Sequence, residues 1–332
     1  MSGMMNAPAP AMVRRRLASP LYAAGVRQTV QLDRDGVLLG AIIRVQYRVT
    51  NGATGPATPL WGTLARILRR VEIVVNGQDT VMNINGAHLA SRQLVETGQR
   101  ALGMDASVVL TNSAVTDYDI AIRVPFVLPA GAQRRDDTAL DLRGVQQAIL
   151  AITWGDASDL FGTVNGAAIS NVTVEVTGHY LVNASPAQRF LVRALDIQEQ
   201  DNTTTNANLS ILLDRGSDLF WRNLHIATLR NNVAVQNMLT GDIRWQAGSF
   251  IYDNRSAREI LADTIYDSGI PYSEFAAADQ VYKLSRDFYG SIATLINGGS
   301  LSGDLFLILG TTYTSGTERI SISREFIRPL RA

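Results

Sequence analysis

NGAHLASRQLVETG (85–98) reads as a short helix in a chain that otherwise reads as strands. Asn85 stands where an N-cap is wanted, and Gly98 where a left-handed residue closes a helix. A second stretch, NRSAREILADTIYDSG (254–269), ends the same way. Leu94-Val95-Glu96-Thr97-Gly98 answers to Ile265-Tyr266-Asp267-Ser268-Gly269, one conservative replacement after another. Ser256-Ala257-Arg258-Glu259 has the spacing of a capping box, in which serine and glutamate side chains satisfy each other's backbone N–H groups. The match extends outward from the helices. Gly77 precedes Gly98, and Gly248 precedes Gly269, by the same interval. Leu32-Asp33-Arg34 and Leu213-Asp214-Arg215 each lead into a long strand run, and the halves close on the alternating segments NVTVEV and RISIS. A period of roughly 150–170 residues is that of a duplicated domain, not of a solenoid.

Between these markers, period-2 alternation dominates. Ile43, Val45, Tyr47 and Val49 point one way, with Arg44, Gln46 and Arg48 opposite. Val71, Ile73 and Val75 make a second set; Ile120, Ile122, Val124 and Phe126 a third; Val172, Val174 and Val176 a fourth. Pro125 inside the third set predicts an edge or a bulge. AILAITW (148–154) is continuously apolar, as a strand buried on both faces would be. In the second half, 210–214, 218–229, 242–253, 291–296, 304–313 and 318–326 read as strands. Turn signals separate the runs at Asn51-Gly52, Asn76-Gly77, Asn165-Gly166 and Asn297-Gly298-Gly299. Ser185-Pro186-Ala187-Gln188 reads as a third helix start, and 64–70 and 275–284 fit either a helix or a strand. Many short strands set off by turns predict an all-β sandwich or barrel plan.

Composition narrows the function classes. The chain has 332 residues, 46% of them hydrophobic, enough to bury a full core. Charged residues are 18% and the formal net charge is zero, so no basic excess points to nucleic acid. Cysteine is absent, which excludes disulfides, zinc–thiolate sites and thiol nucleophiles. No run reaches the roughly 18–20 apolar residues of a membrane span. Arg14-Arg15-Arg16 before LASPLYAAGV mimics a signal peptide, but the apolar part is short and broken by Pro20, so an ordered or semi-ordered arm is the expectation.

No motif carries chemistry. His88, His179 and His225 lack metal-pair spacing and read as packing or surface residues. Asp33-Arg34-Asp35-Gly36 lacks the further ligands of a calcium loop and reads as a turn. The glycine-rich run 298–303 has no following lysine, so it is no phosphate-binding loop. There is no Gly-x-Ser-x-Gly elbow. Arg14, Arg15 and Arg16 form the one basic cluster with a partner in prospect: phosphates of lipid or nucleic acid, acidic surface on a neighbouring subunit, or solvent alone.

Over about residues 28–330, the element order, the duplication, the length, and the lack of cysteine and of catalytic motifs resemble one family. It is the double jelly-roll major capsid proteins of the tectivirus–adenovirus lineage, found in tailless icosahedral viruses, with a bacteriophage as the expected source. The resemblance implies an all-β fold of two tandem eight-stranded jelly rolls, each with a short embedded helix. Expected boundaries are 1–27 for an N-terminal arm, 28–183 for the first roll, 184–209 for a connector and 210–332 for the second. It implies a structural protein without catalytic residues, metal or cofactor. Its partners would be itself, as a homotrimer giving pseudo-hexagonal tiles, together with neighbouring capsomers, penton and minor capsid proteins. Internal membrane lipid is a further expected partner through the arm, and specific nucleic-acid recognition is not expected. Its place is the virion, after assembly in the host cytoplasm. Segments 51–63, 99–116 and 197–209 are expected as large surface loops, and loss of residues 1–25 to leave the trimer but impair particle assembly. Two other classes fit a duplicated sandwich. A bicupin enzyme would need a histidine–glutamate metal cluster, for which three separated histidines are a poor source. A carbohydrate-binding or spike protein would expose aromatic platforms, whereas Trp61, Trp154, Trp221 and Trp245 are scattered and mostly within strand patterns.

Overall fold

The computed structural model describes residues 9–104, 108, 110–127, 138–184, 191–214, 216–271, 281–286 and 295–330. The first half contributes β1 (Ala11–Arg16), β2 (Arg27–Gln31), β3 (Val37–Thr50), β4 (Thr58–Pro59), β5 (Leu68–Val75), β6 (Asp79–Ile84), β7 (Val115–Pro125), β8 (Leu140–Asp141), β9 (Ala148–Trp154), β10 (Phe161–Thr163) and β11 (Ala168–Val182). The second contributes β12 (Leu191–Asn202), β13 (Asn206–Leu213), β14 (Phe220–Arg230), β15 (Val233–Ala234), β16 (Leu239–Ala247), β17 (Phe250–Ser256), β18 (Val281–Ser285), β19 (Ile296–Asn297), β20 (Leu305–Thr311) and β21 (Glu318–Pro329). Among the described residues, the α-helices that interrupt them are α1 (Gly86–Thr97), α2 (Ala157–Leu160) and α3 (Ala257–Ser268).

Each half is a sandwich of two antiparallel sheets. In the first, β1-β11-β3-β7 faces β6-β5-β9-β2; in the second, β12-β21-β14, extended by β18 and β19, faces β13-β20-β16-β17. The alternation explains why. Ile43, Val45, Tyr47 and Val49 of β3 are buried against Val71, Ile73 and Val75 of β5 and Leu150 and Ile152 of β9. On the opposite face of β3, Arg44 Nε donates to Asp119 Oδ1 at 2.9 Å and Arg48 Nε to Asp117 Oδ1 at 2.7 Å, across to β7. β9 lies between β5 and β2 and is buried along most of its length, as its unbroken apolar run requires. Pro125 ends β7, at the margin of its sheet, where a missing N–H leaves no ladder bond unmade. The second sandwich is centred on Trp221 and Trp245, edge to face with ring centroids 6.4 Å apart.

The two sandwiches are joined as well as adjacent. β6 and β12 pair in parallel, Leu195 with Met82 and Asp196 with Asn83, so one sheet of each half becomes part of a continuous sheet of ten strands. Arg328 of β21 reaches back to the Asp79 carboxylate of β6. The two repeated helices meet at this junction. Trp61, Ala87, Leu94 and Val95 from the first half pack with Ala227, Leu229, Ile270 and Val281 from the second.

Both expected caps are present. The Asn85 side chain accepts from His88 N, and Ser256 and Glu259 form the capping box. Gly98 and Gly269 close their helices with φ of 69° and 66°. Gly98 is held twice over, because a Cβ there would lie 2.3 Å from the Ser268 carbonyl oxygen of α3. Gly98→Ala is expected to cost at least about 1–2 kcal/mol from the left-handed backbone alone. A lowered thermal midpoint would read this out, with Gly144→Ala, where a Cβ meets nothing, as the unchanged control.

Two expected boundaries move. Residues 184–209 are not a connector, since β12 and the start of β13 occupy most of them. Their polar composition belongs to a strand with one charged outer face: Arg319 Nη1 donates to Glu199 at 2.8 Å and Arg324 Nε to Asp196 at 2.6 Å across the β12–β21 ladder. For the same reason 197–209 is not a large loop; only 203–205 turn the chain. Residues 1–27 are not wholly an arm either, because β1 adds to the edge of the first sandwich beside β11, and β2 begins at Arg27. Of the ambiguous stretch 64–70, Thr63–Ile67 is a 3-10 turn leading into β5. The helix start at Ser185–Gln188, most of 291–296 and the first part of 275–284 lie outside the described residues; 281–284 are in β18.

Candidate assembly interface

α1 lies along the face of β21 turned away from the second core. Its His88, Arg92 and Glu96 recur every four residues, a rise of about 6 Å, while alternate residues of a strand advance about 6.7 Å. The helix therefore stays in step with Ser321, Ser323 and Glu325. His88 Nε2 is 2.8 Å from Ser321 Oγ, and Arg92 Nη1 donates to Ser323 Oγ at 3.1 Å.

The contact ends in a buried charge network. Glu325 Oε1 accepts from Arg193 Nε of β12 at 2.6 Å and from Arg222 Nη1 of β14 at 2.5 Å. Its Oε2 accepts from Asn223 Nδ2 at 3.0 Å and from Arg92. Glu96 Oε1 accepts from Arg193 Nη2 at 2.5 Å and Arg92 Nη2 at 3.1 Å. Burial alone would raise the Glu325 carboxyl, but the Arg193, Arg222 and Arg92 guanidiniums outweigh it and hold the group well below the usual carboxylate range. Burial, with Arg92 and Arg66 adding, pushes His88 down to about 3. These carboxylates face guanidiniums instead of solvent, so the network fastens two domains and offers no open site to a substrate.

The sequence-predicted cluster is divided. Arg14, Arg15 and Arg16 lie in β1, opposite His179, Gly178 and Thr177 of β11. Arg15 donates to Asp35 at 2.6 Å and Asp33 at 3.3 Å, and lies 5.6 Å from the Tyr180 ring centroid. The turn 33–36 thus serves as an anchor for β1. Arg16 pairs with Glu175 at 3.0 Å, and Arg14 is exposed. The three histidines are not gathered: His88 packs edge-on against Trp61, His225 is buried in β14, and His179 is half-buried in β11. Among the described residues, no group of three or more histidine, aspartate or glutamate side chains is placed to hold a metal ion. No described helix is long and apolar enough to cross a membrane.

The outer surface carries unpaired edges with apolar side chains. Among the described residues, β1, β13 and β17 each pair on one side only. β17 exposes Phe250 at 60% and Ile251 at 48%, β1 exposes Met12, and β13 exposes Leu212. Beside α3, a groove of about 1000 Å³ is lined by Leu239, Leu261, Ile265, Tyr266 and Tyr282. Unpaired strands with exposed apolar groups invite pairing, and proteins that remain single blunt them.

The charge network was not singled out from the sequence. Its signals were an isolated charge within an apolar run, Arg222 in FWRNLHIATL, and an Arg92–Glu96 pair at helical spacing.

No family model matches the chain, and no curated protein does. Solved structures do. One, from the atomic structure of Sulfolobus Turreted Icosahedral Virus, is similar over 96% of this chain and 91% of its own, with 12% identity and a TM-score of 0.73. The major capsid protein P2 of bacteriophage PM2 is similar over 97% of this chain and 98% of its own, at 12% identity and a TM-score of 0.61. A chain of the PBCV-1 virus capsid gives 98%, 96%, 14% and 0.63 in the same order. The fold is a double jelly roll. At these identities the likeness is one of architecture, and it runs the full length of the chains. Among the described residues, each roll of the double jelly roll has two facing sheet portions, and the repeated helices pack at the junction between the rolls.

Proposed function

We propose that this chain is the major capsid protein of a tailless icosahedral virus, a structural component of the virion and not an enzyme. The observation that carries the reading is the whole-length architectural likeness to capsid chains. The open edges of β1, β13 and β17 support it, because a shell covers such edges with neighbouring copies. Three chains place six jelly rolls around one axis, giving a pseudo-hexagonal tile whose obligate interfaces bury roughly 2,000 Å² or more. Penton and minor capsid proteins complete the shell, and assembly takes place in the host cytoplasm. Arg14, exposed on β1, is the member of its cluster free to meet lipid phosphate or an adjacent capsomer. Since β1 belongs to the first sheet, removing residues 1–25 also strips the edge of β11, so Arg14→Glu is the cleaner probe of that contact.

Electron microscopy of the purified protein tests the reading. Three-fold particles with six lobes of density are expected. Single two-lobed particles at every concentration would overturn it.

A further inference from the structure

His225 is buried in the middle of β14, between Ser323 of β21 on one side and Lys283 of β18 on the other. Neither of its ring nitrogens has a hydrogen-bond partner among the described residues, nor does the Asn223 Oδ1 atom two residues away. The surrounding elements supply mostly positive charge. α1 brings Arg92, β12 brings Arg193, β14 itself brings Arg222, and β18 brings Lys283, whose ammonium pairs with Asp267 of α3 at 3.3 Å. The carboxylates facing this region are Glu325 of β21 and Glu96 of α1, and both already accept from guanidiniums. One step along α1, His88 is enclosed by Trp61, Ser321, Arg92 and Arg66. A proton arriving on either ring finds cations and occupied acceptors.

We propose that the junction between the two jelly rolls is an acid-operated latch, in which proton uptake by His225 and His88 releases α1 from the β14–β21 face. The closed junction holds both imidazoles neutral. Once α1 lifts, solvent reaches the rings, and they return to the ordinary histidine value near 6.5. Burial, with Arg92 and Lys283 adding, keeps His225 well below that value in the closed state, and burial, with Arg92 and Arg66 adding, holds His88 at about 3. The open state therefore binds more protons, and closure is lost as pH falls below about 6.5. Each proton taken up multiplies the opening equilibrium by about tenfold per pH unit. The carboxylates add to this only near and below their own range of about 4.3, so a window from pH 6 to 5 isolates the histidines.

Hydrogen exchange on the full chain, corrected for the intrinsic effect of pH, reads the latch directly. Peptides covering α1 are expected to open up to about a hundredfold more per pH unit between pH 6 and 5, for two protons. Peptides covering β9, in the first core, should hold steady. His225→Leu should reduce the slope in α1 to about tenfold, and His179→Gln, on β11 away from the junction, should leave it unchanged. Wild-type α1 that opens no more steeply than β9 would overturn the latch without recourse to any variant, as would a His225→Leu slope equal to wild type. The latch rests on the fold alone, so either result leaves the capsid reading standing.

Discussion

Replacing Glu325 by leucine is expected to destabilise the protein by about 3–5 kcal/mol, because a buried charge network would keep its three guanidiniums and lose the acceptor they share, leaving only Glu96 beside Arg92 and Arg193. Glu325 is fully buried and takes hydrogen bonds from Arg193, Arg222, Arg92 and Asn223, which come from β12, β14 and α1. Leucine fills much of the same space but accepts nothing. The guanidiniums would then face one another at a position water does not reach. Arg319→Ala is the contrast. Arg319 pairs with Glu199 and Asp201 on the solvent side of the same sheet, and its loss should cost no more than about 1 kcal/mol. Chemical denaturation of both variants checks the pair. Equal midpoints would mean that the junction is not fastened by this network.

Trp245→Ala is expected to cost about 3–5 kcal/mol, for a different reason. Trp245 lies in β16, fully buried, against Trp221 of β14 across the second sandwich. Truncation would leave a void between two sheets whose backbones are fixed by their ladders, so little can collapse into it. The loss should fall on the second roll. Hydrogen exchange should show β20 and β13 weakened more than β9 and β3, since each roll has its own core cluster. A uniform weakening of both rolls would mean that they unfold as one unit.

Much of this architecture was legible in the residues. Ile43, Val45, Tyr47 and Val49 announced β3 because an antiparallel sheet with one wet face must alternate. Asn85, Ser256, Gly98 and Gly269 announced both helices because helix ends leave unpaired N–H and C=O groups that particular residues satisfy. The equivalence of the helices disclosed the duplication. Less legible was anything set by which elements touch. LDIQEQDN has the composition of a loop, and becomes a strand because Arg319 and Arg324 of β21 stand opposite its acids. Arg14–Arg16 has the composition of a free basic tail, and is sheet because β11 offers an open edge and Asp33 and Asp35 hold Arg15. The junction was the least visible feature. Arg92, Arg193, Arg222 and Glu325 are far apart in the chain, and a buried ion network has no local spacing to betray it. The two helices that marked the repeat also fasten its halves together.

The proposed role as a capsid building block is tested first by the mass of the purified protein in solution. Light scattering across a column peak should give three copies of the 36.1-kDa chain, and concentrating that peak should produce larger closed or sheet-like assemblies. A single-copy mass that persists at high concentration, with no assemblies, would contradict it.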